Sequence, residues 1–333
     1  MRKKKPPQTL KPLFCSSVNP SKVFYCPYIQ NGIKSYDASQ NICRANLEIK
    51  IYNLNMNNPI DIKPQLDRLL ERFDRSALEP DPLAATLGYT AFEDIEVSCL
   101  IAGLFAYGRA DLIQRNVTEV LSMMGTSPAL FCEKFRKNKA PGWVLAFSYR
   151  FHKGDDLSAL IHAIGRARRD HGSILKLFMA YDDPSAETIL PGLTGMVCAL
   201  RDYAKRDTQA FNSLLSNPSG GGAAKRWNLF LRWMVRKDDI DPGPWSGHIS
   251  TSRLIIPLDV HVGRITRRLG ILKRKSNDLK AALEVTRFLR ELDPEDPIKY
   301  DFAICSYGKL GYCVSKIDPA RCDNCDMSPI CLR

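Results

Sequence analysis

No run of eighteen apolar residues occurs anywhere in the 333-residue chain, so a helix spanning a bilayer is excluded. Strand signals are nearly absent too. Short alternating apolar and polar runs between turn clusters are hard to find, which excludes a sandwich or a barrel. Acidic residues are missing from one end: residues 1–56 hold nine Lys and Arg against Asp37 and Glu48 only. That segment is rich in Pro, Asn and Ser, has no sustained periodicity and lacks the apolar stretch of a secretory signal. It is expected to be a disordered basic tail, or an upstream extension with Met56 near the true start; its acid-poor composition leaves organellar targeting open. A paired cysteine framework is the last absence. Eleven cysteines, an odd number at irregular spacing, argue against disulfides and for a reducing compartment.

What is present suffices for a globular fold: 44% of residues are hydrophobic and 25% charged. From Ile60 onward apolar residues recur at three and four, over Leu66 to Phe73, Glu93 to Tyr107, Leu112 to Met124, Leu157 to Ala167 and Met196 to Ala204. Breaks fall at residues 108–111, at Pro141-Gly142, at Asp182-Asp183-Pro184 and from Pro218 to Gly222. The pattern predicts an all-α body of two lobes over residues 57–304, followed by a four-cysteine segment over 305–333.

The formal charge of +12 is mostly tail, since residues 1–56 carry +7 of it. A local excess survives: from Lys225 to Lys275 there are twelve Lys and Arg and four Asp. Within this stretch, residues 207–237 read as helix, Gly-rich turn, helix, because Pro218-Ser219-Gly220-Gly221-Gly222 cannot continue a helix. At 100° per residue, Lys225, Asn228, Arg232 and Arg236 share a sector of about 80°, opposite Trp227, Phe230, Leu231 and Met234, which predicts one cationic face and one core face. A glycine turn at a helix start suits a phosphate, because bare backbone N–H groups and the helix dipole face it. Lys225 lies in the first turn, where the dipole disfavours an ammonium and favours a nucleophilic amine.

Residues 255–269 pair an apolar run with Asp259, which is expected to cap a helix over Val260 to Leu269. A carboxylate held by such bonds can also stabilise positive charge at a nearby anomeric carbon. His261 reads as a packing residue. At the C-terminus, Cys313-x8-Cys322-x2-Cys325-x5-Cys331 offers four thiolates on short loops, as a 4Fe–4S cluster or tetrahedral zinc requires. The unequal gaps favour the cluster, with zinc as the alternative. Cys305, on a helix predicted from Tyr300 to Leu310, reads as core.

Together the Gly-rich turn, Lys225, the Leu258-Asp259-Val260-His261-Val262 string with Arg264, and the four-cysteine loop resemble the helix-hairpin-helix (HhH-GPD) DNA glycosylases of the endonuclease III type. More narrowly, residues 225–236 and 293–302 look like an uncharacterised bacterial family within that superfamily. The resemblance implies two helical lobes with double-stranded DNA between them and a damaged nucleotide turned into a pocket. It implies a base-excision glycosylase with AP lyase activity, in which Lys225 attacks the anomeric carbon to form a Schiff base and Asp259 stabilises the developing charge. Gly220, Gly221, Gly222, Arg226, Asn228, Arg232, Arg264, Tyr107 and Arg109 would then contact DNA, and Cys313, Cys322, Cys325 and Cys331 would hold a 4Fe–4S cluster. A monomeric, cytoplasmic, nucleoid-associated protein is expected. The readings from other classes are a non-catalytic nucleic-acid-binding protein on the same scaffold and a zinc-ribbon regulator. No local motif encodes the lesion.

Overall fold

The computed structural model describes residues 58–333, and the expected basic tail over 1–56 lies outside them. Fourteen α-helices account for most of the described residues, and their only paired strands are β1 (Ser148–Tyr149) and β2 (His152–Lys153), a single antiparallel hairpin. The all-α expectation holds. Among the described residues no helix is long and apolar enough to cross a membrane.

Helix α1 (Pro59–Arg72) starts where Asn58 accepts the Ile60 N–H at 3.0 Å, and Pro59 fits the first position, where no N–H is required. Its Ile62, Leu66 and Leu69 are buried. Helix α2 (Phe92–Leu104) is buried on every side from Glu96 to Leu104, which explains why its sequence is apolar without amphipathic periodicity. Its one fully buried charge, Glu96, has work there: it accepts the Ile174 and Leu175 N–H groups at 3.2 and 2.8 Å and the Trp245 Nε1–H at 2.8 Å. Burial pushes this carboxyl above the ordinary range, and the donors oppose that shift.

Next come α3 (Ala110–Met124), α4 (Pro128–Lys134), α5 (Gly142–Ala146), α6 (Gly154–His171), α7 (Ile174–Met179), α8 (Leu190–Ala204) and α9 (Gln209–Leu214). The 18-residue α6 is the hub of this group, packing against α4, α5, α7 and α8. A methyl at Gly165 would stand 1.9 Å from the Cys132 carbonyl oxygen, so glycine is what lets α6 and α4 meet backbone to backbone. The chain continues with α10 (Lys225–Val235), α11 (Val260–Arg268), α12 (Leu279–Leu292), α13 (Asp301–Lys309) and α14 (Pro319–Cys322). Here α12 and α13 pack on α1, and α11 packs on α13. All of these helices belong to one compact unit, in which α10 lies along α2.

Candidate active site

The turn before α10 sets where Lys225 points. Pro218–Gly220 form a 3₁₀ turn, Gly221 takes φ +88°, and Ala224, with no side chain able to cap, takes φ +50° at the N-cap. A left-handed alanine stores about 1 kcal/mol or more of strain. The Gly turn is tied down rather than free: the Leu279 N–H donates to the Gly221 carbonyl at 3.1 Å, and Gly222 bridges Asp278. The Lys225 amine, at the first position of α10, is half-buried and donates to the Ala106 carbonyl at 3.2 Å.

Asp259 occupies the N-cap of α11 as its sequence context predicts. Its Oδ1 accepts the His261 and Val262 N–H groups at 2.8 and 2.7 Å, and the Cys305 thiol lies 3.5 Å from Oδ2. Lys225 and Asp259 line the same cleft, of about 820 Å³, with Tyr107, Arg109, Arg226 and Gly222 also on its wall. The structure therefore places Lys225 and Asp259, expected from the sequence to act together, on the wall of one cleft.

Tyr107 is a fixed wall of that cleft. His152 places Nε2 3.0 Å from the Ala210 carbonyl, which can only accept, so Nδ1 is left to accept the Tyr107 hydroxyl at 2.6 Å. Desolvation holds His152 below its usual range, consistent with a neutral ring. Phe151 stacks on Tyr107 from outside at 5.7 Å, and the Arg226 guanidinium lies 5.2 Å from the Tyr107 ring centre. Arg226 also donates to the Leu104 carbonyl at 2.6 Å and to that of Ser213. Arg109 is exposed and pairs in a fork with Asp111, at 3.1 and 2.7 Å.

The expected cationic face of α10 is not a surface. Asn228 is 1% exposed and donates to the Ala223 carbonyl, Arg232 is 3% exposed, and Arg236 is 7% exposed. Arg232 bonds Asp241 at 2.9 Å and Asp301 at 2.6 Å, while Arg236 bonds Asp241, Asp238 and Asp296. The helix is enclosed on both sides, one by apolar packing and one by carboxylates, Asp238 and Asp241 from the loop that follows it and Asp296 and Asp301 from about sixty residues on. Asn228 and Arg232 are thus not presented to a ligand outside the cleft. Arg264 is also engaged within the protein, donating to the Cys313 carbonyl at 2.7 Å, which joins α11 to the C-terminal segment. At Gly220 and Gly221 an added methyl would meet nothing closer than 3.8 Å, so these two remain an open turn beside the cleft.

Three charged groups in the cleft, Asp301, Asp81 and Lys309, were not singled out by pattern. Asp301 is 2% exposed, lines the cleft, and has an Oδ1 without a hydrogen-bond partner among the described residues. Asp81, near Lys309, lines it as well. An aspartate opening a helix reads as an ordinary dipole-complementing first-turn acid, which hides the first. Its burial follows only from Arg232, 69 residues away.

Cys313, Cys322, Cys325 and Cys331 ring one small cavity of about 30 Å³, with Ile265, Leu269 and Met327 as its apolar lining. Arg268 Nη1 lies 3.2 Å from Cys313 Sγ, the Tyr307 hydroxyl lies 3.1 Å from Cys325 Sγ, and Arg333 sits beside Cys322 and Cys331. Among the described residues no three His, Cys, Asp or Glu side chains converge as they would on a single ion. The four thiols thus share one space, two of them with a cationic or hydroxyl partner, without converging on a common point.

In comparisons with known proteins, the family model described as "Protein of unknown function (DUF2400)" matches residues 81–310, more than two thirds of the chain. The expected kinship with helix-hairpin-helix DNA glycosylases is corrected by this result, since no model of that family matches. The motifs behind that resemblance are short, and each meets a local demand: an N-cap, a glycine turn, a cysteine loop. Such pieces can arise without common descent. No curated protein and no solved structure matches the chain. The family match ends before Cys313, so the four-cysteine segment lies beyond it.

Proposed function

The chain belongs to the DUF2400 family of proteins of unknown function, and from the cleft chemistry we propose that it cleaves the N-glycosidic bond of a damaged nucleotide in double-stranded DNA. One observation carries this reading: an amine and a carboxylate separated by 33 residues, Lys225 and Asp259, line one cleft of about 820 Å³, large enough for a nucleotide. In the proposed reaction the Nζ lone pair of Lys225 attacks C1′ of a nucleotide turned out of the duplex, and the C1′–N bond breaks so that the base leaves with its electron pair and takes up the proton that Nζ loses. The Asp259 carboxylate stabilises the positive charge that builds on the sugar. Ring opening then gives a Schiff base, and loss of the C2′ proton with departure of the 3′ phosphate cleaves the strand. Arg109 and Lys309 on the cleft wall supply positive charge for the phosphates, and Tyr107 offers a rigid ring against which a base can stack.

Cys313, Cys322, Cys325 and Cys331 would hold a 4Fe–4S cluster, whose contribution when bound is to cross-link the segment after α13 and seat it against α11. Protein purified without oxygen is expected to contain iron and sulfide and to be brown. Cys325→Ser should lower both iron content and the urea midpoint. Zinc in place of iron would contradict the cluster.

The enzymatic reading is tested by incubating the protein with duplexes carrying oxidised, alkylated, deaminated and abasic sites, and measuring released base and cut strand. Release from at least one lesion duplex, with cutting at the abasic site, is expected. Binding to all of them without release or cutting would contradict it and leave a non-catalytic DNA-binding protein.

A further inference from the structure

We propose that Asp301 is the proton-transfer group of the cleft, its Oδ1 carrying protons between the Lys225 amine and the oxygen that leaves when the Schiff base forms. This rests on the reading of Lys225 as nucleophile. The geometry is that of an anchored carboxyl with one oxygen spare. Arg232, itself 3% exposed, donates from Nη1 to Oδ2 at 2.6 Å and fixes the group, whereas Oδ1, itself buried, has no partner among the described residues, in a residue 2% exposed that lines the cleft. A buried, unpartnered carboxylate oxygen is costly, and its retention calls for an explanation.

The charged and titratable groups around it come from every neighbouring element: Arg232 on α10, Asp241 on the loop after α10, Asp259 at the start of α11, and Cys305 one turn along α13. Lys225 and Asp81 lie within electrostatic reach of Cys305 too. Desolvation, with Asp259 and Asp301 alongside, pushes the Cys305 thiol well above the ordinary cysteine range, so it holds its proton and does not compete. Burial is the largest influence on Asp301 and outweighs Arg232, raising its carboxyl to about 6. Such a group exchanges protons readily near neutral pH.

The balance is as follows. A lysine ammonium and an abasic-site aldehyde become a protonated imine and water. Two protons leave nitrogen and both end on the departing oxygen. Asp301 accepts the first from the ammonium, freeing the lone pair that forms the N–C1′ bond, and returns it to the alkoxide. It accepts the second from the nitrogen of the adduct and delivers it to the hydroxyl as the C–O bond breaks. No oxidant or reductant is needed.

The test is the rate of borohydride-trapped adduct between the full chain and an abasic duplex, measured across pH in single turnovers. In the wild type the rate should fall as pH drops through about 6, because protonated Asp301 can no longer accept. Asp301→Asn should lower the rate about 100-fold and remove that acid limb. Asp301→Glu, which keeps the carboxyl and its pairing with Arg232, should keep the limb at a reduced rate, and it serves if the Asn variant does not fold. Carbon-13 titration of the aspartate carboxyls, without DNA, should show one group titrating near 6 that is lost in Asp301→Glu. An adduct with the same pH profile in the wild type and Asp301→Asn overturns the proposal and leaves Lys225 as nucleophile. So does a titration in which every carboxyl falls in the ordinary range. No wild-type adduct at any pH removes the amine chemistry and the proton carrier with it.

Discussion

Replacing Asp259 by Asn is expected to slow base release by about 10²–10³-fold while leaving stability within about 0.5 kcal/mol of the wild type. The two effects separate because the side chain has two jobs. As N-cap it accepts the His261 and Val262 N–H groups through Oδ1, a role the Asn carbonyl oxygen fills almost equally well. As a charge beside the cleft it has no substitute in an amide, so only the electrostatic stabilisation of the sugar cation is lost. Single-turnover base release and a urea midpoint, measured on the same sample, check both halves. An unchanged rate with a lowered midpoint would make Asp259 a cap and nothing more.

Arg232→Met is expected to cost about 3–5 kcal/mol, a large share of the stability of an ordinary domain. Among the described residues Arg232 is the only one hydrogen-bonded to the side chain of Asp301, and it shares Asp241 with Arg236. Methionine fills much of the same volume but leaves Asp301 buried without a counter-charge, and a stranded charge costs more than the pair contributes. Arg109→Ala is the control. That residue pairs with Asp111 at 76% side-chain exposure, where an ion pair contributes little, so its removal should shift stability by less than about 1 kcal/mol. Urea unfolding of the three proteins checks the contrast. Equal midpoints for Arg232→Met and Arg109→Ala would mean that the buried network contributes no more than a surface pair.

Much of the helical framework could be read before any coordinates because its causes are local. The apolar segment from Glu93 becomes the enclosed helix α2, the Pro218–Gly222 break separates α9 from α10, and Asp259 caps α11. These depend on turn chemistry, capping and periodicity within a few residues. The orientation of α10 was not legible for a related reason. Periodicity correctly groups Asn228, Arg232 and Arg236 on one side, but whether that side meets water or carboxylates depends on Asp296 and Asp301, about sixty residues on. Two arginines and an amide on one face read as a surface until their partners are located. Asp301 was missed by the same logic, since nothing near it in the chain signals burial. The kinship inferred from short motifs failed for a further reason: local solutions to local demands recur in unrelated chains, and the match over residues 81–310 is to DUF2400.

The proposal that Lys225 and Asp259 act on one deoxyribose is tested most directly by reducing the protein with borohydride in the presence of an abasic duplex, digesting it, and mapping the modified peptide. A sugar remnant on Lys225, absent from Lys225→Ala and formed more slowly by Asp259→Asn, is the result this account predicts. A remnant on another lysine, or none under conditions where the duplex is bound, would contradict it.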